Sequence, residues 1–508
     1  MSARADGEVS TSGPDVSAER VAVLALARPT FDVPYAEQML RDAWNALEQT
    51  GATLVGSPRL LMDGDALRNE LDALQDATRE EPPTKVLILQ VTFTDAAATV
   101  RIAERFGRSV SIWAMPEPRG GARLRLNAFC GLNLAAHALG LIDRTPGALY
   151  AEPNSEVLPS LRELIAGQRT PPPPPTGPAE VETVSPKAAH AANAIHGARI
   201  GRIGEHPEGF DTCAYDERRL AALARVTVEP IALDRAFETA RSVDGDVVAD
   251  ARAIAEADCG DLSDLDRGEL DASLRLYGAL AALKGKGGYD AFAVRCWPEC
   301  FTEHGGAMCG PVSMMGERGT PCACEADVYG ALSSLLMQSL ADAPAFLVDL
   351  VDLDAADDTG VVWHCGQAPI SMSAGHAEAT AGGAGEATGS DEATGSDSSA
   401  PRARPTVHTN RRMALLYEFA LRPGRVTLAR ISQARGRHQM VIAGGDMLDR
   451  PMSFTGTSGV VRFDTPAGRM MDGLIGGGIE HHLALAYGDH RQELREVAAE
   501  LGIPVLAL

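Results

Sequence analysis

The chain has 508 residues, of which 45% are hydrophobic, and its formal net charge is −23. This length and apolar content suffice for several domains with sizeable cores. The acidic balance and the lack of a basic stripe exclude a typical nucleic-acid-binding protein. No apolar run reaches the roughly 18 residues that cross a membrane, and the polar N-terminus lacks the apolar segment of an export signal. We therefore expect a cytoplasmic protein with no membrane partner.

The first predicted domain covers residues 19–168. Its strands are the continuous apolar runs "RVAVLAL" (20–26), "KVLILQVTF" (85–93) and "SVSIWAM" (109–115), with helical patterns between them. Such runs are typical of parallel strands that are buried on both faces of a sheet. The pattern predicts a doubly wound α/β domain.

A proline-rich linker is predicted over residues 169–190, where five consecutive prolines favour a stiff, extended chain. A second doubly wound parallel-sheet domain is expected over residues 191–355. It opens with the strand "ARIGRIG" (198–204) and includes "AFAVRCW" (291–297) and "AFLVDLVDL" (345–353).

Residues 356–508 predict a β-rich C-terminal domain. The segments "TGVVWHCG" (359–366), "RVTLARIS" (425–432) and "HQMVIAGG" (438–445) are short strands bounded by turn-forming residues, a pattern typical of antiparallel sheets. Residues 373–405 contain a tandem EATGSD repeat and few large apolar residues, which predicts a disordered insertion. The expected fold class is therefore α/β, with two doubly wound domains followed by a β-rich domain.

Several ionisable residues stand inside or beside apolar segments of the second half. Glu325 is expected in the first turn of a helix, Asp349 in the strand "FLVDLVDL", and His364 in "VVWHCG", while His481 and His482 are adjacent in "GGGIEHHLALAYG". A buried carboxylate is costly unless it is paired or bound to a metal. Two acids with one or two imidazoles suit manganese, magnesium, cobalt or iron better than structural zinc.

Each of these residues also has a structural interpretation. Glu325 could interact with the helix dipole, Asp349 could end or cap a strand, and His364 could be a hydrogen-bonded core histidine. Because neighbouring strand residues point to opposite faces, at most one of His481 and His482 is expected to reach a common site.

Three further residues are weaker candidates for substrate binding. Arg295 and Trp297 follow a predicted strand, at the edge where open α/β folds place ligand contacts, although Trp297 could equally be a core side chain. His304 could contact substrate or face solvent. The nearby cysteines offer a zinc alternative, but Cys322-x-Cys324 is too tightly spaced for an ordinary zinc knuckle, so buried thiols are the simpler interpretation.

From about residue 290 onward the chain resembles the L-fucose isomerase / L-arabinose isomerase superfamily. The segments that carry the resemblance are "CEADVYGAL" (324–332), "AFLVDLVDLD" (345–354), "WHCG" (363–366), "FTGTSGVVRF" (454–463) and "GIEHHLALAYGDH…LGIPV" (478–505). The resemblance implies that Glu325, Asp349 and His482 are metal ligands, and that the two acids form the acid/base pair. The spacing to "IPV" favours His482 over His481. His364 matches an additional histidine of the L-arabinose isomerase branch.

The resemblance implies a metal-dependent aldose–ketose isomerase, an intramolecular oxidoreductase that acts on a free sugar through a cis-enediol. Mn²⁺ is the expected cofactor, with Mg²⁺, Co²⁺ or Fe²⁺ as alternatives. A homo-oligomer, either a hexamer or a trimer, is also implied. Two other functions stay open at this point: a related metal-dependent epimerase or lyase, and a non-catalytic sugar-binding protein of the same fold.

Overall fold

The structure is a computed structural model that describes residues 13–107, 110–179, 181–375 and 402–508. The chain forms two compact units. The first unit comprises the described residues of Met1–Pro118, Arg125–Pro173 and Ile475–Gly478, and the second unit comprises those of Arg119–Leu124, Pro174–Leu474 and Ile479–Leu508. In the part of the chain that the structure describes, no helix is both long and apolar enough to cross a bilayer.

The first unit is built on a parallel sheet in the order β2-β1-β4-β5-β6, with β3 also paired to β1. The strands are β1 Arg20–Leu26, β2 Thr53–Val55, β3 Leu60–Leu61, β4 Lys85–Gln90, β5 Val110–Ala114 and β6 Gly147–Tyr150. The helices are α1 Val33–Glu48, α2 Gly64–Ala77, α3 Ala97–Phe106, α4 Ala128–Leu141 and α5 Leu158–Ala166. Asp32 and Asp63 cap the first two helices through their side chains. The apolar runs of the sequence are the buried strands of this sheet.

The second unit contains a smaller parallel sheet in the order β10-β9-β7-β8. Its strands are β7 Arg199–Ile203, β8 Thr227–Ile231, β9 Ala291–Val294 and β10 Cys322–Ala323. The helices of this region are α6 Pro186–Ile195, α7 Glu217–Ala224, α8 Leu233–Arg241, α9 Gly245–Cys259, α10 Arg267–Gly287, α11 Cys309–Glu317 and α12 Val328–Ala341. Helix α6 begins inside the predicted linker, because Ser185 caps it and Pro186 occupies its first turn.

The second unit also contains a nine-stranded mixed sheet in the order β13-β14-β17-β12-β11-β18-β15-β16-β19. Its strands are β11 Phe346–Asp354, β12 Thr359–His364, β13 Arg404–Thr406, β14 Leu416–Ala420, β15 Gly424–Ser432, β16 Gln439–Met447, β17 Thr457–Phe463, β18 His482–Tyr487 and β19 Val505–Ala507. Two helices follow β17, namely α13 Ala467–Gly477 and α14 Arg491–Leu501. The expected α/β class with a β-rich C-terminal region is confirmed.

The strand β11 belongs to a different sheet from the one expected. It pairs antiparallel with β12 and β18 instead of joining the parallel sheet of β7 to β10. The short turn between β11 and β12 makes these two strands antiparallel neighbours, because a parallel pair would need a crossover of a dozen or more residues. The boundary between a central and a C-terminal domain at residue 355 stays a prediction. Most of the expected insertion, residues 376–401, lies outside the described residues.

One core links the two sheets of the second unit. Val328 and Leu332 of α12 share a buried cluster with Ala293 of β9 and with Ala429 and Ala484 of β15 and β18. Helix α12 therefore packs between the parallel and the mixed sheet. This arrangement fixes the turn that precedes α12 beside the first residues of β18.

Candidate active site

Glu325 lies in a tight turn between β10 and α12. The turn is a 3₁₀ segment, Cys324–Ala326, in which Glu325 has φ +58° and Ala326 has φ +57°. Non-glycine residues rarely adopt this left-handed conformation, and such strain clusters at functional sites. The expectation that Glu325 stands in the first turn of a helix was wrong. Helix α12 begins at Val328, and Asp327 caps it by accepting a hydrogen bond from the Gly330 N–H at 2.8 Å.

Asp349 and His364 enter the same region from neighbouring strands. Asp349 lies in the middle of β11, directly opposite His482, the first residue of β18. His364 ends β12, the other strand that pairs with β11. The register sets Asp349 opposite His482 on one side and Trp363 on the other, and the adjacent His364 brings its ligand atom within 4.8 Å of those of Asp349 and His482. The three residues are buried.

Both histidines of the pair reach the site, contrary to the sequence expectation. Strand β18 begins at His482, so His481 precedes it and is not bound by strand alternation. The two rings stack with centroids 3.9 Å apart. His481 Nε2 lies 3.2 Å from Glu325 Oε2, and His482 Nε2 lies 3.5 Å from Asp349 Oδ1.

A fully buried ion-pair network holds His482 in one orientation. Its Nδ1 lies 3.0 Å from Asp327 Oδ2, so the opposite nitrogen faces Glu325 and Asp349. Arg430 binds both oxygens of Asp327, at 2.7 and 3.0 Å, and its Nε lies 3.6 Å from Glu480 Oε2. Carboxylate partners of this kind fix the tautomer of a metal-binding histidine.

The donor atoms of the site fit a divalent cation. One group comprises Asp349, His364 and His482, whose ligand atoms all lie within 4.8 Å of one another. Asp349 Oδ1 and His364 Nε2 are buried and have no hydrogen-bond partner among the described residues. Unpaired buried polar atoms are costly, and a shared cation would compensate both. This oxygen and nitrogen donor set suits Mn²⁺, Mg²⁺, Co²⁺ or Fe²⁺.

A second, overlapping group adds a thiol to the site. Cys213, Glu325, His481 and His482 also offer donor atoms within 4.8 Å of one another. Cys213 Sγ lies 4.0 Å from Glu325 Oε2. Burial, followed by the charges of Asp327 and Glu325, raises the pKa of the Cys213 thiol well above its ordinary value. The thiol is therefore protonated at neutral pH unless a metal displaces the proton.

The environment separates the titration of the two site carboxylates. Burial raises the pKa of Asp349 to about 7, an effect that the charge of His482 opposes and the charge of Glu325 supports. Burial alone would raise the pKa of Glu325. The hydrogen bond and charge of His481, together with the charge of His482, outweigh this effect and lower the pKa to about 2. Burial lowers the pKa of His364 to about 3, so this imidazole is neutral and can act as a ligand. A carboxyl pair divided in this way is typical of acid/base sites.

The three weaker candidates occupy different places. Trp297 adjoins the cluster, because its Nε1 donates to Glu325 Oε1 at 3.0 Å. Arg295, at the end of β9, is paired with Glu299 at 2.6 Å. His304 stacks on Phe237 and its Nε2 lies 3.0 Å from the Ala272 carbonyl oxygen. Among the described residues, no hydrogen bond or ion pair joins His304 to the cluster.

Sequence reasoning missed three contributors to this site. Cys213 lies in a short 3₁₀ turn after β7 and carries no sequence signal. Strand alternation allows only one histidine of the pair and the spacing to "IPV" favours His482, so the sequence does not indicate His481. Arg430 lies on an ordinary apolar strand, β15. The zinc alternative has no support in the described residues, where the cysteines at 296, 300, 309, 322 and 324 are free and form no ligand group of their own.

Comparison with known proteins supports a sugar isomerase. A family model for the L-fucose isomerase C-terminal domain matches residues 362–508. The sulfoquinovose isomerase from Alkalicoccus urumqiensis is 28% identical over 96% of this chain and 99% of its own length. The sulfoquinovose isomerase from Clostridium sp. (strain MSTE9) is also 28% identical, over 95% of this chain and 98% of its own length. The sulfoquinovose isomerase from Priestia megaterium is 26% identical over 95% of this chain and 98% of its own. These matches extend over both units.

Taken with the fold, the matches define the class of protein as an aldose–ketose isomerase. More particularly, residues 362–508 are similar to the L-fucose isomerase C-terminal domain, and the chain is similar to sulfoquinovose isomerases over nearly its whole length. The resemblance seen in the sequence is therefore confirmed.

Proposed function

We propose that this enzyme is a divalent-metal-dependent isomerase that interconverts sulfoquinovose, or a closely related anionic aldose, with its ketose through a cis-enediol. One observation carries the metal: Asp349, His364 and His482 bring ligand atoms within 4.8 Å of one another, and the buried Asp349 Oδ1 and His364 Nε2 have no hydrogen-bond partner among the described residues. The substrate class rests on relatives of that name that match nearly the whole chain. The cytoplasmic location stays a proposal based on the sequence composition, and the hexamer or trimer stays a proposal based on the family resemblance.

Glu325, Asp349, His482 and His364 would hold the cation, for which Mn²⁺ is the expected choice. When bound, a divalent cation acts as a Lewis acid that polarises the sugar oxygens and stabilises developing negative charge. Asp349, with its pKa near neutrality, accepts the proton from one of C1 and C2 and returns it to the other. Glu325, held by the Trp297 indole and His481, is the second member of the acid/base pair and moves the hydroxyl proton between O2 and O1, so that the interconversion balances. Apolar and aromatic neighbours, including Phe210 against Trp297, exclude bulk water.

Removal of metal should abolish turnover and its return should restore it. We expect protein stripped with a chelator to lose ketose formation from sulfoquinovose, and micromolar to millimolar Mn²⁺ to recover it. The assay follows ketose formation together with exchange of the C2 hydrogen with deuterated solvent. Exchange without net isomerisation would indicate an epimerase-type reaction, and full activity in the stripped protein would contradict the proposed cofactor. Mn²⁺ at about 100 times its Kd should also raise the melting temperature, in line with about 2.7 kcal/mol of stabilisation.

Metal affinity should depend on Asp327 through its bond to His482. We expect Asp327→Asn to weaken Mn²⁺ binding about 10- to 100-fold, the usual cost of losing the partner that orients a histidine ligand, and His482→Ala to weaken it further. Calorimetry and metal content measure this without reference to activity. His196→Ala is the matched control, since His196 is exposed. Unchanged affinity in both cluster variants would remove His482 from the metal site.

A further inference from the structure

A basic loop, defined here as residues His408–Met413, lies between β13 and β14. Two backbone hydrogen bonds close it: the Arg412 N–H donates to the His408 carbonyl at 2.6 Å, and the His408 N–H donates to the Met413 carbonyl at 2.9 Å. Arg412 has φ +58°, a left-handed conformation that tightens the turn. Its sequence, "HTNRRM", contains three basic side chains and no acid. The turn therefore carries two adjacent arginines, Arg411 and Arg412.

The basic loop packs against the wall of the candidate active site. The His408 ring makes an edge contact with Phe301, with ring centroids 5.1 Å apart. Met413, Trp297 and Cys365 pack against the same small apolar cluster, which contains Phe301. Trp297 binds Glu325, and Cys365 follows His364 and donates its N–H to that ring at 2.9 Å. The loop therefore shares its packing cluster with Trp297 and Cys365, which contact the proposed ligands Glu325 and His364.

The positive charges of this loop are not compensated. Arg411 is half-buried and Arg412 is exposed, and neither guanidinium forms a hydrogen bond or ion pair with any residue that the structure describes. Other arginines of the same unit are paired, such as Arg119 with Asp352 at 2.5 Å. In a chain with 69 acidic and 46 basic residues, two adjacent cations without a carboxylate beside a buried site favour an anionic ligand.

The other polar groups in and near the loop are also consistent with an anionic ligand. His408 Nδ1 accepts the N–H groups of Asn410 and Arg411, each at 3.3 Å, so in its neutral form the proton lies on Nε2. Arg123, from the segment Arg119–Leu124, reaches Asn410 Oδ1 at 3.5 Å and adds a further cation nearby. The loop is therefore rich in donors and poor in acceptors on the side chains that it presents.

We propose that the basic loop binds the tetrahedral anionic group at the C6 end of the sugar, while C1 and C2 lie at the acid–histidine cluster. Arginine forks match tetrahedral oxyanions, and a sulfonate or a phosphate ester would offer the same oxygens. Arg411 and Arg412 would then be specificity-determining residues rather than catalytic ones. This inference rests on the proposed function, since it assumes that the cluster binds the reacting end of the sugar.

The test compares three hexoses that differ only at C6: sulfoquinovose, glucose 6-phosphate and glucose. Initial rates are measured with Mn²⁺ for the wild type, Arg411→Ala, Arg412→Ala and the double variant, with the exposed Arg437→Ala as control. We expect the double variant to raise KM for sulfoquinovose about 10- to 100-fold with kcat changed less than about threefold, while its kcat/KM for glucose stays at the wild-type value. Arg411→Lys should show a smaller rise in KM for sulfoquinovose than Arg411→Ala, because lysine keeps the positive charge but lacks the two-pronged guanidinium group.

The outcomes separate this inference from the proposed function. An equal fall in kcat/KM for glucose and for sulfoquinovose, or an unchanged preference for sulfoquinovose in the double variant, overturns the role of the loop. A wild type that isomerises glucose as well as sulfoquinovose overturns it too, but leaves the isomerase intact. If the wild type isomerises none of the three sugars, the proposed function fails. Calorimetric titration with sulfoquinovose then tests the loop separately. Weaker binding of sulfoquinovose by the double variant supports the role of the loop, and equal binding overturns it. Preference for glucose 6-phosphate identifies a phosphate as the ligand.

Discussion

Replacement of Glu325 by Gln should reduce kcat by about 10³-fold or more and leave the fold intact. The change removes a charge that would both hold the cation and take part in proton transfer, and loss of a positioned acid or base alone costs about 10²- to 10⁴-fold. The side chain keeps its shape, and the Trp297 indole can still donate to its remaining oxygen. The measurement is single-turnover and steady-state ketose formation at saturating Mn²⁺, with circular dichroism and melting temperature to verify folding.

A buried glutamate outside the cluster provides the control for this variant. Glu70 is also buried and accepts hydrogen bonds from Ser57 and Arg59, so Glu70→Gln makes the same chemical change at a residue of the first unit that is not part of the cluster. We expect Glu70→Gln to keep a kcat close to that of the wild type. If Glu325→Gln also retains most of its activity at saturating metal, then Glu325 has no acid/base or ligand role.

Replacement of Arg430 by Met should lower the free energy of unfolding more than any other substitution that we predict for the second unit. Arg430 and its partners Asp327 and Glu480 are all fully buried. Burial would raise the pKa of Asp327, but the Arg430 charge and the hydrogen bond to His482 hold it below its ordinary range. Removing the cation leaves buried carboxylates without compensation, which costs about 3–5 kcal/mol. We expect a clearly lower melting temperature and faster thermal inactivation.

Two further variants decide whether the buried charge network causes this loss. Arg430→Lys keeps the charge but cannot bind both oxygens of Asp327, so it should lie between the wild type and Arg430→Met. Arg437→Met removes an exposed arginine and should change little. Because His482 is anchored on Asp327, Mn²⁺ affinity should fall together with stability in the Arg430 variants. A melting temperature of Arg430→Met equal to that of the wild type would contradict the network's role.

The parts of the fold that the sequence predicted correctly depend on local patterns. The apolar runs at β1, β4 and β5 are parallel strands of one sheet, because strands buried on both faces require continuous apolar residues. The family resemblance of short motifs implies Glu325, Asp349, His364 and His482 as site residues; the structure brings their side chains together, and their roles stay predictions.

Only the tertiary structure decided what depends on pairing between distant segments. The placement of β11 in the mixed sheet follows from its register with β12 and β18, and the same register sets Asp349 opposite His482. Cys213 and Arg430 join the site across more than one hundred residues of sequence each, through contacts with Glu325 and Asp327. His481 reaches the site because strand β18 begins only at the next residue, His482. Composition and periodicity report the burial of a residue, whereas the identity of its partners is set by how sheets and helix α12 pack, and the sequence carries no local record of that packing.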